Sequence, residues 1–180
     1  MTTYVAFLRA VNVGGRNKVP MAKLRDALTA AGLEDVATVL QSGNVVFRSR
    51  SSATAAAKLV AGAIEESFGL AVEVVIRTAA ELGAVAATNP FLDDEPERDA
   101  KTLHVAFLSK RPAAAAVKKL DPDRSPPDAF SIHGRETYLS YPNGSGRTRL
   151  TLDYIEKTLG VTGTARNWRT VQRLAELVAG

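Results

Sequence analysis

The stretch TYVAFLR at residues 3–9 returns as LHVAFLS at residues 103–109. Each is an apolar run rich in Val, Phe and Leu, the pattern of a buried strand. The elements downstream of each copy repeat as well. After the first, Pro20 suits a helix start, Met21, Leu24, Leu28 and Ala31 fall at helical spacing, and Gly32 can stop the helix. VATVLQ (36–41) and NVVFRS (44–49) then read as strands joined across SGN, a tight hairpin signal. Ser51 or Ser52 can cap an Ala-rich helix that runs to Phe68 and ends at Gly69, and AVEVVIR (71–77) is a further strand. After the second copy, Pro112 opens an Ala-rich helix to Leu120. AFSIHG (129–134) and ETYLSY (136–141) form a second hairpin. LTLDYIEKTLG (150–160) places Leu152, Ile155 and Leu159 on one helical face.

A chain that repeats this order is confined to a small set of folds. The expectation is an α+β protein of two ferredoxin-like βαββα(β) units in tandem with a C-terminal helix. The N-terminal unit covers residues 1–90. The C-terminal unit covers 102–180, and the two pack as one body. The acidic stretch LDDEPERDAK (92–101) connects them. Just before it, Thr78 and Glu81 make a capping-box pattern for a short helix. The last helix, from Trp168, stacks Val171, Leu174 and Val178 on one face. It is expected to stand in for the final strand of the second unit.

Composition excludes several classes. With no Cys, there is neither a disulfide framework nor a thiolate zinc site. His104 and His133 are the only histidines, so no metal and no cofactor is expected. No apolar run approaches the roughly 20 residues of a membrane span, and the N-terminus enters a strand pattern at once. The expectation is a soluble cytoplasmic protein with no membrane partner. Charge is uneven. Residues 1–50 carry 7 Lys/Arg against 3 Asp/Glu, residues 51–140 carry 10 against 13, and residues 141–180 carry 6 against 3. Basic ends that met in space would attract an anion.

The candidate site residues lie in three loops. AVNVGGRNKVPM (10–21) places Gly14, Gly15, Arg16 and Lys18 between a strand and a helix start. Such a loop either turns the chain or receives an anion on backbone N–H groups. It matches neither the P-loop nor the dinucleotide fingerprint. Arg9 sits in an apolar run, so its guanidinium must be paired or emerge at the strand end. NGSGRTRLT (143–151) is a second Gly-rich basic loop, with Ser145, Arg147 and Arg149. TGTARNWRT (162–170) is the third, with Thr164, Arg166 and Asn167, the last a good helix cap by type. No nucleophile–base or zinc-protease motif is present.

Together, LRAVNVGGRNKVPM, LQSGNVVF, NPF, YLSYPNGSGRTRLT and IEKTLGVTGTARNWRTVQRL resemble the bacterial family called domain of unknown function 1697, over about Tyr4 to Leu177. The matched positions include Arg9, Asn12, Gly14, Gly15, Lys18, Pro20, Gln41, Ser42, Gly43, Asn44, Thr164, Arg166 and Asn167. Thr148-Arg149 stands where the family typically has Ser-Lys, which keeps the charge and changes the geometry. The resemblance implies an α+β protein with two related halves and no assigned reaction.

The reading that unites these observations is binding of an anionic ligand: a nucleotide, phosphorylated metabolite or nucleic acid. Arg9, Lys18 and Arg166 would neutralise it, Asn12, Ser42, Asn44 and Asn167 would hydrogen-bond it, Gly14 and Gly15 would allow close approach, and Arg149 and Thr164 complete the ligand-binding set. Two alternatives stand beside it. One is a protein-interaction module with no small ligand. The other is a metal-independent phosphoryl-transfer or hydrolytic enzyme. Catalytic residues and oligomeric state are not legible.

Overall fold

A computed structural model describes residues 1–40 and 43–180. The chain divides into two units, one of Met1–Gly83 with Leu174–Gly180 and one of Ala84–Arg173.

The first unit contains β1 (Thr2–Leu8), α1 (Met21–Ala30), β2 (Glu34–Val39), β3 (Asn44–Ser49), α2 (Ala53–Phe68) and β4 (Val74–Thr78). The strands form one antiparallel sheet in the order β2-β3-β1-β4. Period-two alternation divides β1 between two faces. Tyr4, Ala6 and Leu8 share a core with Leu24 and Leu28 of α1 and Ala56, Val60 and Ile64 of α2. Val5 and Phe7, on the other face, are also fully buried. Burial on both faces explains why the run is continuously apolar rather than alternating. Helix α2 begins where Ser52 accepts a hydrogen bond from the Ala55 N–H (3.3 Å) and ends at Gly69 in the left-handed conformation.

Helix α3 (Ala79–Ala87) follows directly on β4. Thr78 Oγ1 accepts from the Glu81 N–H (3.1 Å) and Glu81 Oε2 accepts from the Thr78 N–H (2.8 Å). The reciprocal pair is the capping box expected from the sequence.

The second unit continues with α4 (Pro90–Asp94), β5 (Leu103–Leu108), α5 (Ala114–Val117), β6 (Ala129–His133), β7 (Glu136–Ser140), α6 (Leu152–Leu159), β8 (Gly163–Asn167) and the first half of α7 (Trp168–Ala179), whose residues from Leu174 group with the first unit. Its sheet order, β6-β7-β5-β8, is that of the first. Ala106 and Leu108 of β5 pack with Ile155 and Leu159 of α6, as the helical spacing predicts.

The repeat holds at the level of register. Val5 lies opposite Arg77 and Val105 opposite Arg166. Phe7 lies opposite Val75 and Phe107 opposite Thr164. The two VAFL segments therefore occupy the same place in each sheet.

Three expectations need correction. The second unit does have its final strand: β8 pairs antiparallel with β5, and α7 comes after it rather than replacing it. Its sequence, GTARN, hides the strand because its buried positions include Thr164 and Arg166. Helix α5 is one turn long instead of spanning Pro112–Leu120. Of residues 112–120 only Pro112 and Leu120, at the two ends, are buried, and i→i+3 bonds from Lys119 to Ala116 and from Leu120 to Val117 tighten the chain at the second end. The segment 92–101 is not a bare connection. It includes the end of α4 and a short 3-10 turn, Ala100–Thr102, and Arg98 reaches Ser140 Oγ at 2.7 Å.

Candidate functional site

In the first loop, Gly14 and Gly15 both have positive φ (58° and 74°), and the Arg16 N–H donates to the Val13 carbonyl at 3.0 Å. Positive φ at both central positions defines a type I′ turn. The loop is closed by two asparagines. Asn12 accepts from the Val19 N–H (2.8 Å) and donates to the Val19 carbonyl (3.1 Å), while Asn17 donates to the Ala10 carbonyl (3.0 Å). The glycines and Asn12 thus build the loop, and Arg16 and Lys18 stand exposed on it.

Arg9 lies one residue beyond β1, so it emerges at the strand end. It pairs with Glu73 at 3.7 Å, with 39% and 55% of the two side chains exposed. An exposed pair contributes little. Arg9→Leu is therefore expected to cost under about 1 kcal/mol in a urea titration. A loss above about 2 kcal/mol would reveal a buried role.

Asn44 opens β3 opposite Phe7 and is fully buried, donating to the Val39 carbonyl at 3.0 Å. The Leu8 N–H donates to the Gly43 carbonyl (2.8 Å). The end of β1, from which the first loop departs, is thereby tied to Gly43, just before β3. Ser42, also expected in the site, lies outside the described residues.

The remaining expected residues belong to the second unit. Arg166 is 8% exposed and donates to Thr164 Oγ1 (2.5 Å) and to the Ala165 carbonyl (2.9 Å). Burial pushes its guanidinium down to about 10, which leaves it a cation at neutral pH. Asn167 caps α7 by accepting from the Arg169 N–H at 2.9 Å. Sequence reasoning missed the matching residue of the first unit, Arg77, which is 1% exposed and donates to the Ile76 carbonyl at 2.8 Å. The signal was present: Arg77-Thr78 and Arg166-Asn167 are each an arginine followed by a helix cap.

The basic residues of the two chain ends fall in different units. Leu174–Gly180, which groups with the first unit, carries Glu176 and no Lys or Arg.

The second unit holds a cavity of about 470 Å³, between the Pro-rich loop 121–128 and the Gly-rich loop 143–151. Ser125, Pro126, Pro127 and Asp128 line it from the first loop, and Asn143, Gly144, Arg147 and Thr148 from the second. The loops are bonded to each other. Thr148 Oγ1 donates to Asp128 Oδ2 (2.5 Å), the Arg149 N–H donates to Ser125 Oγ (3.0 Å), and Arg124 Nε donates to the Arg149 carbonyl (2.9 Å). The Arg124 guanidinium also lies 3.8 Å from the Tyr154 ring centroid, a cation–π contact that holds the Pro-rich loop to α6. Beneath them, Tyr141 donates to the Leu150 carbonyl (2.9 Å), and burial, then the charge of Asp128, pushes its hydroxyl up to about 12. Arg149 adjoins the cavity wall through its backbone. Sequence reasoning found Arg147 and Arg149 but not Asp128, which is contributed by the other loop and has no motif spacing to mark it.

The histidines lie elsewhere. His104 Nδ1 is buried without a hydrogen-bond partner among the described residues, and burial lowers the pKa of the ring. His133 Nε2 lies 2.9 Å from Ser131 Oγ on the surface of β6. Among the described residues no group of three or more His, Asp and Glu side chains is placed to hold a metal ion, and no helix is long and apolar enough to cross a membrane. The cavity therefore offers one cation, one carboxylate, hydroxyls and an amide, a set suited to holding a polar ligand.

The family described as "Protein of unknown function (DUF1697)" matches residues 1–138. Among solved structures, the conserved bacterial protein SP0830 from Streptococcus pneumoniae is similar, with a TM-score of 0.77 at 22% identity. The match covers 100% of this chain and 99% of that one, and at this identity it speaks for the fold alone. No curated protein matches the chain.

Proposed function

This chain belongs to the DUF1697 family, and from that premise we propose that it binds an anionic small molecule, such as a nucleotide or phosphorylated metabolite, in the cavity of its second unit. The observation that carries this reading is Arg147. It lines the cavity, is exposed, and has no ion pair or hydrogen bond among the described residues. The cavity volume is in the range of small-molecule sites. Its walls are fixed to each other by side-chain hydrogen bonds, so little ordering would oppose binding. Arg149, whose backbone adjoins the cavity, belongs to the same proposal as a secondary cation, whereas Lys18 lies in the first unit and would serve only a separate anion site on the first loop.

A thermal-shift series with inorganic phosphate, nucleotides and sugar phosphates tests it, because a ligand of the native state raises apparent stability. The expected result is a shift that Arg147→Ala removes, with a loss of about 1.5–3 kcal/mol in binding for one charge-assisted contact. Lys18→Ala separates the loops. A shift that survives Arg147→Ala and disappears in Lys18→Ala would move the site to the first unit. No shift with any anion would favour an interaction module.

A further inference from the structure

The cavity contains a second charge that an anion alone does not use. Asp128 is 9% exposed and lines the cavity. A carboxylate with so little access to water gains from a nearby cation or a further donor. Its side chain has one hydrogen bond, from the Thr148 hydroxyl to Oδ2, and no ion pair among the described residues. Thr148 is in turn fixed, since its Oγ1 also accepts from the Leu150 N–H at 3.0 Å. The carboxylate is therefore held in place through Oδ2, while Oδ1 keeps contact with solvent and can take a donor from a ligand. Arg147 lines the same cavity with the opposite charge.

We propose that the ligand of this cavity is zwitterionic, with a phosphate or carboxylate facing Arg147 and an ammonium or N–H donor facing Asp128. This inference rests on the anion-binding reading above and narrows it to aminophosphates, amino acids and related compounds. The amine would give Asp128 a counter-charge within the cavity. A ligand with only an anionic end would bring a second negative charge near a buried carboxylate, which opposes binding.

The test compares two probes that differ in the amine alone, phosphoethanolamine and ethyl phosphate, by calorimetric titration of the intact protein, with inorganic phosphate as the reference anion. Phosphoethanolamine is expected to bind at least about tenfold more tightly than ethyl phosphate, the factor given by one charge-assisted contact. Asp128→Asn keeps an oxygen for the Thr148 hydroxyl, and should abolish the preference without weakening ethyl phosphate. Arg147→Ala should weaken both probes. Equal affinities in the unaltered protein, or a preference that survives Asp128→Asn, would overturn the inference. Binding of inorganic phosphate without amine preference defeats this inference and leaves the anion reading standing. Absence of binding by all three defeats both. The comparison in the unaltered protein decides the matter even if Asp128→Asn does not fold.

Discussion

Arg77→Ala is expected to destabilise the protein by at least about 3 kcal/mol, since emptying a large buried site costs both transfer and cavity energy. Arg77 is among the largest fully buried side chains, and its guanidinium donates to the Ile76 carbonyl at 2.8 Å. Truncation removes that donor along with the packing of the stem. Arg77→Met separates the two contributions. It restores most of the volume without the charge, and a well-packed apolar replacement of a buried ion is often tolerated. The methionine variant should therefore lose less than the alanine variant. Arg166→Ala should behave like Arg77→Ala, because it strips Thr164, itself buried, of the guanidinium bonded to its hydroxyl. Urea titrations of the three variants check this. A loss under about 1 kcal/mol for Arg77→Ala, the range of ordinary surface changes, would mean that the guanidinium is reached by water and that the repeated arginine is not a structural device.

The contrast between Arg9 and Arg77 shows what a sequence can and cannot disclose. Both are arginines beside apolar strand residues. Arg9 draws attention because its neighbours VAFL are so apolar, yet it steps out of the sheet one residue past β1. Arg77 looks like an ordinary strand end, yet it sits opposite the fully buried Val5. That pairing joins residues far apart in the chain, and no local pattern encodes it. Features closed within a few residues were legible: the Ser52 cap and Gly69 stop of α2, the Thr78–Glu81 box, and the bounds of β3. The Gly14–Gly15 pair was legible as a turn-or-anion alternative, and the Arg16-to-Val13 bond supplies the turn. The cavity was half legible. Arg147 and Arg149 stood out in a Gly-rich loop, whereas Asp128 acquires its meaning from a hydrogen bond across 20 residues.

Gly163→Ala should be among the most disruptive of the glycine substitutions, although nothing in the sequence marks it. Gly163 begins β8 opposite Leu108. A Cβ there would lie 2.8 Å from the Phe107 carbonyl oxygen and 3.0 Å from Leu108 Cδ2. The first contact is with backbone in the middle of a sheet, so relief requires the strands to separate rather than a side chain to rotate. Overpacking of this kind costs about 1–3 kcal/mol, and the upper end is expected because β8 also carries Thr164, Arg166 and the Asn167 cap. Gly14→Ala is the comparison. Its Cβ would meet nothing within 4 Å, so only the left-handed φ of 58° opposes it, at about 1–2 kcal/mol. Hydrogen exchange distinguishes the two variants mechanistically as well as by size. In Gly163→Ala, protection should fall at the β5 and β8 amides, whereas in Gly14→Ala the loss should stay within the first loop. If Gly163→Ala instead leaves β5 and β8 protection intact, the two strands are not as close as the register of Leu108 with Gly163 requires, and the equivalence of the two VAFL segments would fail at that edge of the second sheet.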